Sequence, residues 1–199
     1  MAPIAPAQIT AAILAGGAGS RLDGCDKGLQ PLAGRVLIEH VLDALGDSAA
    51  TVLVSANRNA PRYAAYGRVL ADAEGADTYR GPLAGIAAAL AACTTPWLLT
   101  LPVDCPRPPR DLATRLAQAL GTSPAAVAHD GAQVQPLFAL YSSALAPSAA
   151  AALRADRAVW RWQQELGAVP VDFSDCRAAF DNLNTVEDFR RWEREHERD

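Results

Sequence analysis

"AAILAGGAGSRLDGCDKGL", residues Ala11 to Leu29, runs from an apolar stretch into five glycines, one arginine and one lysine. Hydrophobicity that is continuous rather than alternating predicts a strand buried on both faces over Ile9–Leu14, as in parallel sheets. Glycine permits positive φ and lets a ligand approach the backbone. Bare amides at Gly16, Gly17 and Gly19, followed by Arg21 and Lys27, predict an anion site, with a polyphosphate the leading candidate.

Downstream, strand and helix signals alternate. Val36–Leu45 has a helical apolar stripe closed by Gly46, and Thr51–Ser55 is a β-branched second strand. Arg68–Leu70 is a short third strand before Asp72. Gly81-Pro82 opens an alanine-rich helix, Trp97–Leu101 is a strand running into Asp104, and Pro108-Pro109 precedes a helix over Arg110–Leu120. The last third is less regular. It has strands at Ala125–His129, Pro136–Tyr141 and Val169–Phe173, and helices at Ala144–Arg154 and Ala158–Leu166. Thr185 and Asp188 form a capping box for a final helix. This order predicts a three-layer α/β fold, an open, mostly parallel twisted sheet with helices on both faces.

With 199 residues, no internal repeat and no low-complexity linker, the chain is expected to be one domain over 1–199. Residues 1–8 read as a loose tail, 9–105 as a nucleotide-binding part and 125–185 as a second-substrate part. A net charge of −4 argues against nucleic acid as a partner. Apolar stretches are broken before the roughly 18 residues a membrane span needs, and no signal peptide is evident, so a cytoplasmic protein without membrane contact is expected. Cys25, Cys93, Cys105 and Cys176 lack metal-ligand spacing and read as free thiols.

Two familiar phosphate loops fail. A dinucleotide fingerprint needs a third glycine where Leu22 stands, and an acidic residue after the second strand, where Ala56 and Asn57 stand. A P-loop needs Gly-Lys-Ser/Thr, but Lys27 lies between Asp26 and Gly28. Asp72 and Asp104 both follow strands. In an open parallel sheet they converge with Asn57 and the glycine loop at the carboxyl edge. Carboxylates beside a polyphosphate imply an intervening cation, and Mg²⁺ is the expected one.

These residues resemble the molybdenum cofactor guanylyltransferases, whose signature has the form L-A-G-G-x-G-x-R-M-G-G-x-D-K-G. The likeness continues at Asp72, GPLAG (81–85), LPVDCP (101–106), QPLFALY (135–141), VDFSD (171–175) and NLNT (182–185). Asp23 departs from the usual glycine. The resemblance implies transfer of GMP from GTP to Mo-molybdopterin with release of pyrophosphate. It implies a GTP site of Leu14, Ala15, Gly16, Gly17, Gly19, Lys27, Asn57, Asp72 and Asp104, with Arg21, Lys27 and Asp104 catalytic and Asp104 the metal ligand. Asn182 and Asn184 would bind the molybdopterin. Gly16 bears on base choice, because relatives that use CTP carry L-A-A-G there. A monomer is expected, with transient contacts to molybdenum-insertion or acceptor proteins.

The alternatives are another phosphorylated acceptor or CTP in the same fold, or a non-catalytic nucleotide-binding relative. Retention of Arg21, Lys27 and Asp104 weighs against the last. Plainer readings stand beside the functional ones. His40, His129 and His196 are satisfied surface or helix residues, and Trp160 and Trp162 are packing residues on opposite helix faces. Arg190, Arg191, Arg194 and Arg198 among glutamates form a solvated face with i,i+4 pairs. Asn182 and Asn184 can equally serve as turn and cap residues.

Overall fold

The computed structural model describes residues 3–16, 26–70 and 81–196. A seven-stranded sheet has the order β5-β4-β1-β6-β8-β7-β9. Its strands are β1 (Ile9–Leu14), β4 (Thr51–Ser55), β5 (Arg68–Leu70), β6 (Trp97–Pro102), β7 (Ala125–His129), β8 (Val134–Ser142) and β9 (Val169–Asp172). All neighbouring pairs are parallel except those made by β8, which runs against both β6 and β7. β1 lies inside the sheet and is wholly buried, as its unbroken apolar run requires. A separate hairpin joins β2 (Pro31–Leu32) to β3 (Arg35–Val36) through Ala33 and Gly34, both at positive φ.

Helices cover both faces. α1 (Leu37–Leu45) and α4 (Leu112–Ala119) pack their apolar stripes on one side, with Phe173 and Phe180 filling the gap beyond them. α3 (Pro82–Ala92), α5 (Ala146–Arg154) and α6 (Val159–Glu165) cover the other. Small residues let α3 lie close to the sheet: a side chain at Gly85 would come within 2.6 Å of Ser55 Oγ. Gly85 thus lets α3 seat on β4. α7 (Val186–His196) closes a smaller core with the hairpin, where Leu32, Leu37, Leu183 and Trp192 meet. Among the described residues, no helix is long and apolar enough to cross a membrane.

Several boundaries move from their sequence expectations for local reasons. Helix α4 begins at Leu112, not Arg110, because the chain leaves the paired prolines in a turn, with Leu112 N donating to Pro109 O at 3.0 Å and Asp111 in the N-cap position. Pro147 lies in the first turn of α5, so the α-ladder starts at Ala146 after a 3₁₀ turn over Ser143–Leu145. β8 extends to Val134 despite Pro136, because a register shift between Val127 and Ala128 leaves the proline outside the ladder. β9 ends at Asp172, and Phe173 turns into the core. The short helix α2 (Ala60–Tyr63) and the hairpin were not foreseen.

Candidate functional site

Leu14, Ser55, Leu70 and Pro102 end adjacent strands on one edge. Backbone pairing continues one step past them: Ala15 N donates to Ser55 O (2.9 Å), Val103 N to Leu14 O (3.1 Å) and Ala56 N to Leu70 O (3.0 Å). This fixes Leu14, Ala15, Gly16, Asn57 and Asp104 along a single carboxyl edge, where an open α/β sheet takes its ligand. Gly17, Gly19, Arg21 and Asp72 lie outside the described residues.

Lys27 comes to this edge from the turn that precedes the hairpin. Its amine donates to Asp104 Oδ2 at 2.9 Å and to Asn184 Oδ1 at 2.7 Å. Asn182 leans on the same loop, since its Oδ1 accepts the Cys105 thiol at 2.8 Å. Leu183 N donates to Asp104 O at 2.9 Å, so the NLNT stretch is sewn to the LPVDCP stretch by backbone and side chain together. Burial, reinforced by the neighbouring Asp104 carboxylate, pushes the Cys105 thiol well above its usual range. A buried, protonated thiol is a packing and hydrogen-bonding group rather than a nucleophile.

The backbone under Lys27 is tightly held. Residues Lys27–Leu29 form a single 3₁₀ turn after Asp26. The Asp26 carboxylate accepts Asn59 Nδ2 at 3.0 Å and the hydroxyl of fully buried Tyr63. A side chain at Gly28 would meet Tyr63 Oη at 2.5 Å and Val103 Cγ2 at 2.9 Å. Asp26, Tyr63 and Gly28 thus form a pedestal for Lys27. Sequence reasoning missed Tyr63, and among the described residues the partners of Lys27 are Asp104 and Asn184. The only hint of the pedestal was Asn59 and Pro61 marking a turn.

Gly16 differs from Gly28. A Cβ at Gly16 would lie 3.8 Å from Ser55 O and 3.9 Å from Ser55 Oγ, ordinary contacts. Among the described residues, packing therefore does not demand glycine at this position.

The remaining sequence candidates fall into structural roles. His40 Nε2 pairs with Leu32 O, His129 Nδ1 accepts Gly131 N, and His196 Nδ1 pairs with Trp192 O. Trp162 is buried and stacked on Tyr141, while Trp160 is exposed. On α7, Arg191 pairs with Asp188 three residues away and Arg194 with Glu187 seven away, rather than at the expected i,i+4 spacing. Thr185 and Asp188 do cap the helix reciprocally. VDFSD is a clamp: Arg115 forks onto Asp175 at 2.9 and 3.0 Å and lies 3.9 Å over the Phe173 ring.

Among the described residues, no group of three or more His, Cys, Asp and Glu side chains converges on one point. What converges is a pair of hard oxygen donors, Asp104 Oδ2 and Asn184 Oδ1, already gathered around the positive charge of Lys27. Such oxygens suit a divalent cation that keeps water and phosphate as its other ligands.

The sequence matches the MobA-like NTP transferase domain model over residues 11–169. A molybdenum cofactor guanylyltransferase from Photobacterium profundum is 40% identical over 187 residues, covering 93% of this chain and 95% of that one. One from Ralstonia nicotianae is 41% identical, covering 94% and 97%. In structure, the chain resembles molybdopterin-guanine dinucleotide biosynthesis protein A from Archaeoglobus fulgidus (TM-score 0.75, 22% identity, 96% and 100% covered). It also resembles a 2-C-methyl-D-erythritol 4-phosphate cytidylyltransferase from Thermus thermophilus (TM-score 0.68, 22% identity, 94% and 98% covered). At that identity the two structural likenesses speak for the fold.

Proposed function

The chain belongs to the MobA-like NTP transferase family, alongside its molybdenum cofactor guanylyltransferase relatives, and we propose that it transfers GMP from GTP to Mo-molybdopterin and releases pyrophosphate. One observation carries the reading beyond resemblance. A single lysine amine joins the carboxylate after β6 to an asparagine of the C-terminal third, so two substrate regions share one point.

The acceptor would be a phosphate monoester, already ionised near neutral pH. Its attack on the α-phosphorus needs charge neutralisation and in-line positioning more than a strong base. In this reading the backbone at Leu14, Ala15 and Gly16 lines the guanine and ribose, and the loop amides of Gly17 and Gly19 receive phosphates. Asn57 and Asp72 contact the nucleotide. Lys27 and Arg21 neutralise phosphate oxygens, and Asn182 and Asn184 orient the pterin substrate. Asp104 holds a divalent metal, Mg²⁺ by its preference for carboxylate and phosphate oxygen. When bound, that metal supplies Lewis-acid charge neutralisation at the phosphates.

The test is pyrophosphate release with each of the four nucleoside triphosphates, with and without Mo-molybdopterin. Release only with GTP and the molybdopterin is expected. Equal or greater turnover with CTP would overturn the base assignment, and turnover with a sugar phosphate in place of the molybdopterin would overturn the acceptor.

A further inference from the structure

We propose that Lys27 is a resident cation that occupies the Asp104 position in the nucleotide-free protein, so that a divalent metal enters with the nucleotide and not ahead of it. The inference rests on the reading that Asp104 is the metal ligand and goes beyond it to the order of events at the site.

The geometry points to a placeholder. The Lys27 amine sits between two oxygens from distant parts of the chain, 77 and 157 residues away. Those oxygens are the hard donors that a divalent cation would use. A metal arriving alone must displace an ammonium already at hydrogen-bond distance, and the two like charges repel across a site only partly screened by water. The Lys27 and Asp104 side chains are 21% and 24% exposed, open enough for exchange but sheltered enough for the repulsion to count.

A polyphosphate changes the balance. It offers the amine new anionic oxygens, and a point charge on a flexible four-carbon stem can move to them without rearranging the backbone. The pedestal makes that separation of roles physical. Asp26, Tyr63 and Gly28 fix the turn, while only the side chain needs to swing. When the amine leaves, Asn184 Oδ1 is released in the same motion, which couples nucleotide arrival to the face offered to the second substrate.

The test measures Mn²⁺ binding to the full chain by electron paramagnetic resonance, first without nucleotide. Lys27→Met should bind Mn²⁺ about tenfold or more tighter than wild type, since the competing charge is gone. Lys27→Met combined with Asp104→Asn should lose that gain. Lys27→Gln serves the same purpose should the methionine variant fail to fold, as judged by circular dichroism. No gain in either Lys27 variant, or a gain that survives Asp104→Asn, overturns the placeholder. The metal reading is tested separately, in wild type loaded with GTP. Mn²⁺ held there and lost in Asp104→Asn supports Asp104 as ligand even if the placeholder fails, whereas Mn²⁺ held equally in Asp104→Asn removes that ligand and the placeholder with it.

Discussion

Among the described residues, two cation–carboxylate pairs join distant parts of this chain, and they are held in different ways. Lys27 meets Asp104 at 2.9 Å, and Arg115 meets Asp175 at the same distance. Arg115 is locked. Its planar fork takes both Asp175 oxygens and the carbonyl of Asp172, and its face lies on the buried Phe173 ring. Lys27 makes two point contacts through one amine that rotates freely. A guanidinium fork is suited to holding a position, and an ammonium on a flexible stem to leaving one. Equal distance in a static structure therefore does not mean equal function.

That contrast can be broken first at Asp104. Asp104→Asn keeps the shape, removes the charge, and should lower turnover by about 100-fold or more, with little change in Tm. Steady-state pyrophosphate release and thermal unfolding check both halves. Activity close to wild type would place the Lys27 pair in the same structural class as Arg115. The next largest effect should come from the pedestal. Gly28→Ala forces a side chain against Tyr63 and Val103. Overpacking of this kind costs about 1–3 kcal/mol, read by denaturant unfolding, and the displaced turn should lower turnover as well. Gly16→Ala is the control, with unfolding unchanged and only nucleotide preference shifted. The smallest effect belongs to the clamp. Arg115→Ala should lower Tm by about 2–4 °C, the shift expected for a loss near 1 kcal/mol in a chain of this size, and leave the KM for GTP unaltered. A large change in KM would give VDFSD a part in the site that its contacts do not suggest.

The sequence was legible where one local rule sufficed. β1, β4, β5 and β7 fall at their expected bounds, and in β1, buried along its whole length, the unbroken apolar run itself marks the strand. Asp104 could be placed at the carboxyl edge because a residue just past a parallel strand has nowhere else to go. The hairpin was illegible for the converse reason. Its turn places Ala33 at a φ of 47°, a conformation that alanine does not advertise, and it is held from outside by Glu193 of α7.

Motif resemblance, likewise, did not separate segments that meet at the Lys27 edge from segments that brace a helix. VDFSD and NLNT both belong to the family's likeness, but the first clamps α4 and the second reaches Lys27 and Cys105. By itself, then, the amino-acid sequence determined the strand–helix alternation, the carboxyl edge at which Asp104 and Asn57 come together and the residue types available there. Periodicity and chain order are local properties that survive in one dimension. Only the tertiary structure decided that Lys27 rests on Asp104 and Asn184, that Tyr63 supports it, and that packing demands glycine at Gly28 but, among the described residues, not at Gly16. Each of these depends on atoms brought within a few ångströms by segments far apart in the chain, and no spacing rule encodes such a distance.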